Sequence, residues 1–399
     1  MLRRINLQKA RNQIARSTTI RDINRQIVLG YVRDRGPISR AQIARETDLH
    51  RSTVSLIIDE LEADGLIVGS GEAKSTGGRR PMLYELRVGV PAAIGVDIGP
   101  EKTTVGVADL AGTPLATEEF RGAFDSNELS SLIISGVMRL IERFSITNVD
   151  IGVSVPGLVE NSSGRIHHVP YFDWKDWDLI ERLRLETGCE VIVDNDANAV
   201  SLAELWLSPE RMGKRNTFLT ILVGQGIGTG VVFDGRLYRG EKGAGGEFGH
   251  MILGQDAPVE CSCGSRECWE AYASEKSMVE RFRMTPSGAG TNGSLRADDV
   301  ISLALEGNRD ALDALKETVA YLGDGISNLM VGLSPQVVVL SGKITKAWPI
   351  FEEQLSRVAE RSSLAGLPPA SLVASSLGDS PTLTGAFCLV LARRFGLAI

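Results

Sequence analysis

Three cysteines, Cys261, Cys263 and Cys268, fall within eight positions, and His250 precedes the first of them by 11 residues. Three thiolates and one imidazole fill a tetrahedral zinc shell with no position left open, so the expected cofactor is a structural Zn2+. On either side of this cluster stand Gly245-Gly246-Glu247-Phe248-Gly249 and Trp269-Glu270. A second polar cluster, Val193-Asp194-Asn195-Asp196-Ala197-Asn198, sits where a strand gives way to a helix, the usual place for ligand groups in an α/β sheet. An aspartate there can accept a hydrogen bond from a hydroxyl or take its proton, and Asp or Asn can equally serve as a helix cap.

The elements that must position these groups alternate from Ala92 onward. Apolar runs predict strands at Ile94–Ile98, Thr104–Asp109, Asp150–Val155 and Val191–Val193, with an amphipathic helix near Asn127–Phe144. A second round follows, with strands at Thr217–Val223, Gly230–Phe233 and Val337–Leu340 and a helix over Leu312–Met330. This is an α/β pattern, and two similar rounds predict two lobes with a cleft between them.

The chain in front of Ala92 is of a different kind. Residues 1–90 carry 16 Lys/Arg against 10 Asp/Glu, and the remainder 27 against 40, so a head of +6 precedes a body of -13 within a net charge of -7. A polyanion would be attracted by the first and repelled by the second. The first 25 residues form a basic arm (Arg3, Arg4, Lys9, Arg11, Arg16, Arg21, Arg25 against Asp22). Helical spacing of Ile23, Ile27, Val28, Tyr31 and Val32 ends at Gly36-Pro37. Ser39-Arg40-Ala41-Gln42 then has the form of a capping box, a turn follows at Thr47-Asp48-Leu49, and a third helix is predicted from Arg51 to Ala63. Leu66–Val68 and Met82–Leu86 flank a Gly- and Arg-rich loop that includes Lys74.

This is the pattern of a winged helix-turn-helix, whose third helix enters the major groove. The same pattern serves protein contacts in some proteins; the charge asymmetry favours DNA. Candidate DNA contacts are Arg40, His50, Arg51, Ser52, Thr53 and Ser55, with Arg79 and Arg80 on the wing. Because His50 stands where Ser or Asn usually caps, either Asp48 caps the third helix or His50 faces the DNA.

Glu247-Phe248-Gly249-His250 followed by Cys261-Ser262-Cys263-Gly264-Ser265-Arg266-Glu267-Cys268-Trp269-Glu270 resembles the signature of the ROK family of repressors and sugar kinases, and the resemblance spans essentially the whole chain. It implies an N-terminal winged helix-turn-helix (1–90) and a two-lobed, actin-like sugar-binding domain (91–399), with lobes of about 91–215 plus the C-terminal helix and about 216–380. It also implies zinc on His250, Cys261, Cys263 and Cys268, and a sugar floor of Asn195, Asp196, Glu247, His250 and Glu270. Glu267 stands where the family usually has Gly, which touches the loop and spares the ligands.

Kinases of the family carry Asp-x-Gly-Gly-Thr-Lys in the first strand-turn, whereas this chain reads Asp97-Ile98-Gly99-Pro100-Glu101-Lys102. Pro100 removes an amide and Glu101 adds a negative charge where phosphates would sit. Gln225 stands where the kinases have Thr, and Ser341-Gly342 lacks one Gly. The expectation is therefore a sugar-responsive repressor without enzymatic activity, the alternative being an ATP-dependent sugar kinase with Asp196 as general base. A palindromic operator requires two copies, so a homodimer or dimer of dimers on double-stranded DNA is expected. The aromatic stretch His167–Trp174 can stack on a pyranose or pack the lobe surface; the residues leave both open. No apolar run is long enough to span a membrane and no secretory leader is read, which places the protein in the cytoplasm with no membrane partner.

Overall fold

A computed structural model describes residues 17–72, 80–122, 125–147, 149–208, 217–290, 295–362 and 368–395. Most of the basic arm, Lys74 and the candidate wing contact Arg79 lie outside the described residues. The chain forms two compact units; the first runs to Val90 and takes in the turn Asp109–Thr113, and the second holds Pro91–Ala108 and Pro114–Ala392.

In the first unit the elements are α1 (Ser17–Arg35), β1 (Ile38–Ser39), α2 (Arg40–Thr47), α3 (Arg51–Ala63), β2 (Ile67–Glu72) and β3 (Met82–Leu86). Apolar faces meet in a small core of Val28, Leu29 and Val32 from α1, Ile43 from α2, and Val54, Ile57, Ile58 and Leu61 from α3. Both halves of the capping box are formed: Ser39 accepts from the Gln42 amide and Gln42 from the Ser39 amide. Unforeseen in the sequence is β1, a two-residue strand that pairs Ile38 with Tyr84 and Ser39 with Leu83, giving the sheet order β1-β3-β2.

Asp48 does not cap α3. It ends α2 in the left-handed conformation (φ 55), and His50 takes the N-cap position without a side-chain bond to the backbone.

In the second unit, β4 (Ala93–Ile98), β5 (Thr103–Ala108) and β6 (Pro114–Phe120) form an antiparallel meander. Helix α4 (Ser126–Arg143) starts where Asp125 accepts from the Asn127 and Glu128 amides, and it buries Leu129, Ile133, Val137 and Leu140. It leads to β7 (Ile151–Val155). A small antiparallel sheet of β8 (Leu158–Glu160), β9 (Arg165–Val169) and β10 (Trp174–Trp177) and helix α5 (Leu179–Thr187) precede β11 (Val191–Asn195). The five-stranded order is β11-β7-β4-β5-β6, with β11, β7 and β4 parallel.

The second lobe repeats this plan. Helix α6 (Asp196–Leu207) packs on β12 (Phe218–Val223) and β13 (Ile227–Phe233), which continue into β14 (Arg236–Leu237). Then come α7 (Trp269–Ala273), α8 (Glu275–Arg283), α9 (Ala297–Leu305), α10 (Arg309–Leu333), β15 (Val337–Ser341), α11 (Trp348–Ser362), β16 (Ser371–Ala374) and α12 (Pro381–Arg394). The order β14-β13-β12-β15-β16 is again a meander followed by two parallel strands. Central strands β5, β7, β12 and β15 are buried at every residue, as sheets covered on both faces require, and α12 returns to lie with Phe387 against Gly95 of β4. Among the described residues no helix is long and apolar enough to cross a membrane.

Candidate functional site

The carboxyl end of β11 delivers the first two site residues. Asn195 caps α6 by accepting from the Ala197 and Asn198 amides, and its side-chain amide donates to the Gly157 carbonyl (3.1 Å). Asp196 is the first residue of the helix. The helix-capping role and a place on the cavity wall thus coincide in one dipeptide.

From the second lobe, Glu247 and His250 lie on a single turn after Gly245-Gly246, and Glu270 is the second residue of α7. Glu270 is nearly buried; it accepts from the Ile227 amide (3.2 Å), the Ser262 amide (3.0 Å) and the Cys261 thiol (3.3 Å). A Cβ on Gly226 would collide with the Glu270 carboxylate and the Tyr171 hydroxyl, so a side chain there would displace both from their places at the cavity. Asn195, Asp196, Glu247, His250 and Glu270 all line one cavity of about 490 Å³.

Behind this floor, one donor atom each from His250, Cys261, Cys263 and Cys268 lies within 4.8 Å of every other. His250 Nδ1 is 3.2 Å from Cys261 Sγ, and Cys263 Sγ is 3.5 Å from Cys268 Sγ, far beyond a disulfide bond. Burial and the adjoining thiols push Cys268 up to about 12, a crowding that a divalent cation would reverse by taking the thiolates as ligands. Donor types and spacing therefore fit a tetrahedral metal ion. With Nδ1 toward the thiols, His250 turns Nε2 toward Glu247 Oε2 (3.7 Å), and both residues line the cavity.

Desolvation in the cleft raises Asp196 to about 7, with the charges of Asp97 and Glu247 adding to the rise against the Ala197 amide bond. Burial likewise raises Asp97 to about 6 and, with a contribution from Glu270, raises Glu247. Tyr171 also lines this end, and burial and the surrounding carboxylates push its phenol upward, so it remains a neutral donor. Of the aromatic stretch, only His168, Tyr171 and the neighbouring Pro170 reach the cavity; Phe172 stacks on Trp174 (4.5 Å) and Trp174 meets Trp177 edge-on (4.8 Å), packed against the first-lobe core. Sequence patterning singled out the stretch but not Tyr171 within it, because one cavity-lining aromatic among packed ones carries no periodic signal.

At the cavity's other end, Pro100, Glu101 and Lys102 face Gln225, Lys343 and Lys346. Gln225 Nε2 donates to Glu101 Oε1 (3.2 Å), and Lys343 Nζ lies 3.5 Å from Glu101, 3.4 Å from Asp298 and 4.0 Å from Glu275. Lys346 pairs with Asp298 (2.9 Å). Burial raises Glu275 to about 7 despite Lys343.

In the winged helix, His50, Arg51 and Ser52 are exposed at the start of α3, Thr53 and Ser55 are half-buried, and Arg80 is exposed at the foot of β3. His50 Nδ1 is 2.8 Å from Ser52 Oγ. Arg40 is engaged within the unit, bonding Asp59 (2.7 Å) and the Tyr84 hydroxyl (2.7 Å) with its guanidinium over the Tyr84 ring. Arg21 pairs with Glu60 and Arg25 with Asp64 (2.6 Å), so these two arm residues brace α1 against α3.

The sequence profile of the ROK family matches residues 93–393. The chain belongs to the ROK family. A MarR family profile matches residues 27–79, within the helices and wing of the first unit. The ROK chain is 30% identical to the xylose repressor of Bacillus spizizenii over 383 residues, covering 95% of this chain and 97% of the relative. It is 28% identical to the DNA-binding transcriptional dual regulator NagC of Escherichia coli over 391 residues, covering 95% and 94%. A crystal structure of a ROK family transcriptional regulator, homologous to the E. coli MLC protein, shares the fold with a TM-score of 0.76 at 24% identity, covering 95% of this chain and 98% of that one. A ROK family glucokinase from Streptomyces griseus, crystallised with glucose and AMPPNP, matches at a TM-score of 0.67 and 26% identity over 75% of this chain and 98% of the glucokinase. This ROK protein is thus a winged helix-turn-helix followed by an actin-like domain of the sugar-kinase type.

Proposed function

We propose that this ROK protein is a sugar-responsive transcription repressor without kinase activity. In this reading residues 1–90 read double-stranded operator DNA through His50, Arg51, Ser52, Thr53 and Ser55 of α3, with Arg79 and Arg80 on the wing and Arg40 in a bracing role beside them. Residues 91–399 bind a free sugar on Asn195, Asp196, Glu247, His250 and Glu270, with lobes of about 91–215 plus α12 and about 216–380. The paired carboxylates and amides suit vicinal hydroxyls, which both donate and accept. Zn2+ on His250, Cys261, Cys263 and Cys268 would supply a fixed tautomer and orientation to His250, leaving Nε2 for the ligand. Two copies, as a homodimer or dimer of dimers, match a palindromic site, and the protein works in the cytoplasm beside its DNA. The sign, repression, comes from the named repressors among its relatives.

The observation that carries regulator over kinase is the Glu101–Gln225 bond, with Lys343 beside it. A carboxylate and its partners occupy the end where a nucleotide's phosphates would need donors, and Pro100 has no amide to offer. A lost donor and a repelling carboxylate each cost about 1–3 kcal/mol of phosphate affinity. Asp196, raised to about 7, would suit a general base, and that is why the decisive test includes ATP.

The test is a gel-shift titration on the gene's own upstream DNA at fixed salt, against D-xylose, D-glucose and N-acetylglucosamine, each with and without ATP. Specific binding released by one sugar without ATP is the expected result. Sugar-dependent ATP consumption without DNA binding would replace it with the kinase reading.

A further inference from the structure

The cavity floor comes from two separate stretches of chain. His250 belongs to the candidate metal cage, Glu270 accepts from its Cys261 thiol and Glu247 lies 3.7 Å from His250, whereas Asn195 ends β11 and Asp196 begins α6. Between the halves lies a buried ion pair that neither sequence patterning nor the sugar reading assigns. Arg239 Nε and Nη2 both donate to Asp194 Oδ2, at 2.9 and 2.7 Å, and the side chains are 14% and 2% exposed. The other oxygen, Asp194 Oδ1, accepts from the Asn195 amide (2.9 Å) and the Asn198 side chain (3.1 Å).

Arg239 reaches the second half through its backbone. Its carbonyl accepts from the Gly245 amide (2.7 Å), closing the loop that ends at Gly246 and delivers Glu247 and His250. Gly246 has φ 87 and leaves no room for a Cβ beneath the Thr229 carbonyl, so the exit of this loop is fixed. Neither Asp194 nor Arg239 lines the cavity. One residue therefore grips Asp194, next to the Asn195–Asp196 dipeptide, by its guanidinium and Gly245, two residues before Glu247, by its carbonyl, without lining the cavity.

We propose that Arg239, through its pair with Asp194, is the positioning residue that sets the spacing between the two halves of the sugar floor and so controls sugar affinity. The proposal rests on the sugar reading above. A hydrogen bond to a charged group that the sugar loses when the two halves shift costs about tenfold to a hundredfold in affinity, whereas loss of a merely space-filling pair would leave those bonds in place. Removing one partner strands a buried charge and destabilises the chain, whereas replacing both by neutral groups of similar size is often harmless to stability. The two roles separate on that difference.

The experiment compares the parent full-length chain with Asp194→Asn/Arg239→Met and Arg239→Lys, measuring affinity for D-xylose, D-glucose and N-acetylglucosamine by calorimetry. Metal per chain, melting temperature and sugar-free operator affinity are read in parallel. The double variant is expected to keep its metal and melt within about 2 °C of the parent, to bind operator within about twofold, and to lose sugar affinity by about tenfold to hundredfold. Arg239→Lys, which keeps the charge but not the two-nitrogen grip, should lose less. Parental sugar affinity in either variant would overturn the proposal and leave the sugar reading standing. A parent chain that binds none of the three sugars while releasing no operator overturns the sugar reading, and the proposal with it.

Discussion

The two ends of the cavity are lined by the same kinds of side chain and use them in opposite ways. At the Asp196 end the polar groups are held from behind: Glu270 by the Ile227 and Ser262 amides, Asn195 by the Gly157 carbonyl and its own helix, His250 by its thiol neighbours. Their remaining hydrogen-bonding capacity is turned inward, and the crowded carboxyls respond by holding protons more tightly. At the Glu101 end, Gln225 and Lys343 reach Glu101 across the space, and Asp298 pairs with Lys343 and Lys346 beside it. Composition alone would not separate a binding floor from a self-neutralised wall. What separates them is whether the supporting bonds come from the protein behind or from the facing side chain.

The severest way to break this comparison is to remove the support of the first end. Cys261→Ser/Cys263→Ser should release the metal, lower the melting temperature and abolish sugar binding, since structural zinc sites commonly contribute about 10–16 kcal/mol. Atomic absorption retaining one metal per chain would remove these cysteines from the cage. Next in size, Asp196→Asn should cost about tenfold to a hundredfold in sugar affinity, the range for hydrogen bonds to a charged group.

Its effect on stability has the opposite sign. The folded carboxyl is raised from 3.8 to about 7, so its stabilising protonated form is fully present below pH 3.8 and is lost as pH rises through about 7. The variant's melting advantage over the parent should therefore be absent near pH 4, grow to about pH 7 and then level off; an advantage independent of pH would contradict the raised value. Arg51→Ala tests whether reading and sensing are separate: operator affinity should fall by about 1–3 kcal/mol with sugar affinity unchanged. The smallest effect belongs to Glu101→Ala. Glu101 is exposed and its partners Gln225 and Lys343 are only half-buried, so stability should move by less than about 1 kcal/mol, with sugar affinity at the parental value. A large loss of sugar affinity would mean that the second end also takes part in sensing.

Local chemistry was the most legible part of the chain. The His250–Cys268 spacing, the Ser39–Gln42 box and the α3 stripe of Val54, Ile57, Ile58 and Leu61 each lie within a few turns of backbone, where spacing dictates which atoms meet. The alternation of strands and helices in the second unit was also visible, because buried strands such as β12 are apolar throughout. Long-range polar pairing was not. Glu101 and Gln225 each stood out as departures, yet nothing in 124 residues of separation says that they touch. Asp194 and Arg239 are 45 apart with no pattern to join them. A basic residue opening a helix, such as Arg40, likewise offers no sign of the Tyr84 ring and Asp59 that hold it. The strand β1 escaped notice because two residues cannot establish an alternation.

Trp269 stands between Cys268 of the cage and Glu270 of the floor, its indole fully buried and donating to the Tyr321 carbonyl (3.0 Å). A Cβ on Gly325 of α10 would strike that ring, so the indole has a single seat. The chain thereby carries an unlabelled optical gauge at the junction of metal and ligand. With the other four tryptophans changed to phenylalanine, the emission and near-ultraviolet dichroism of this one ring would report the filling of either compartment in real time.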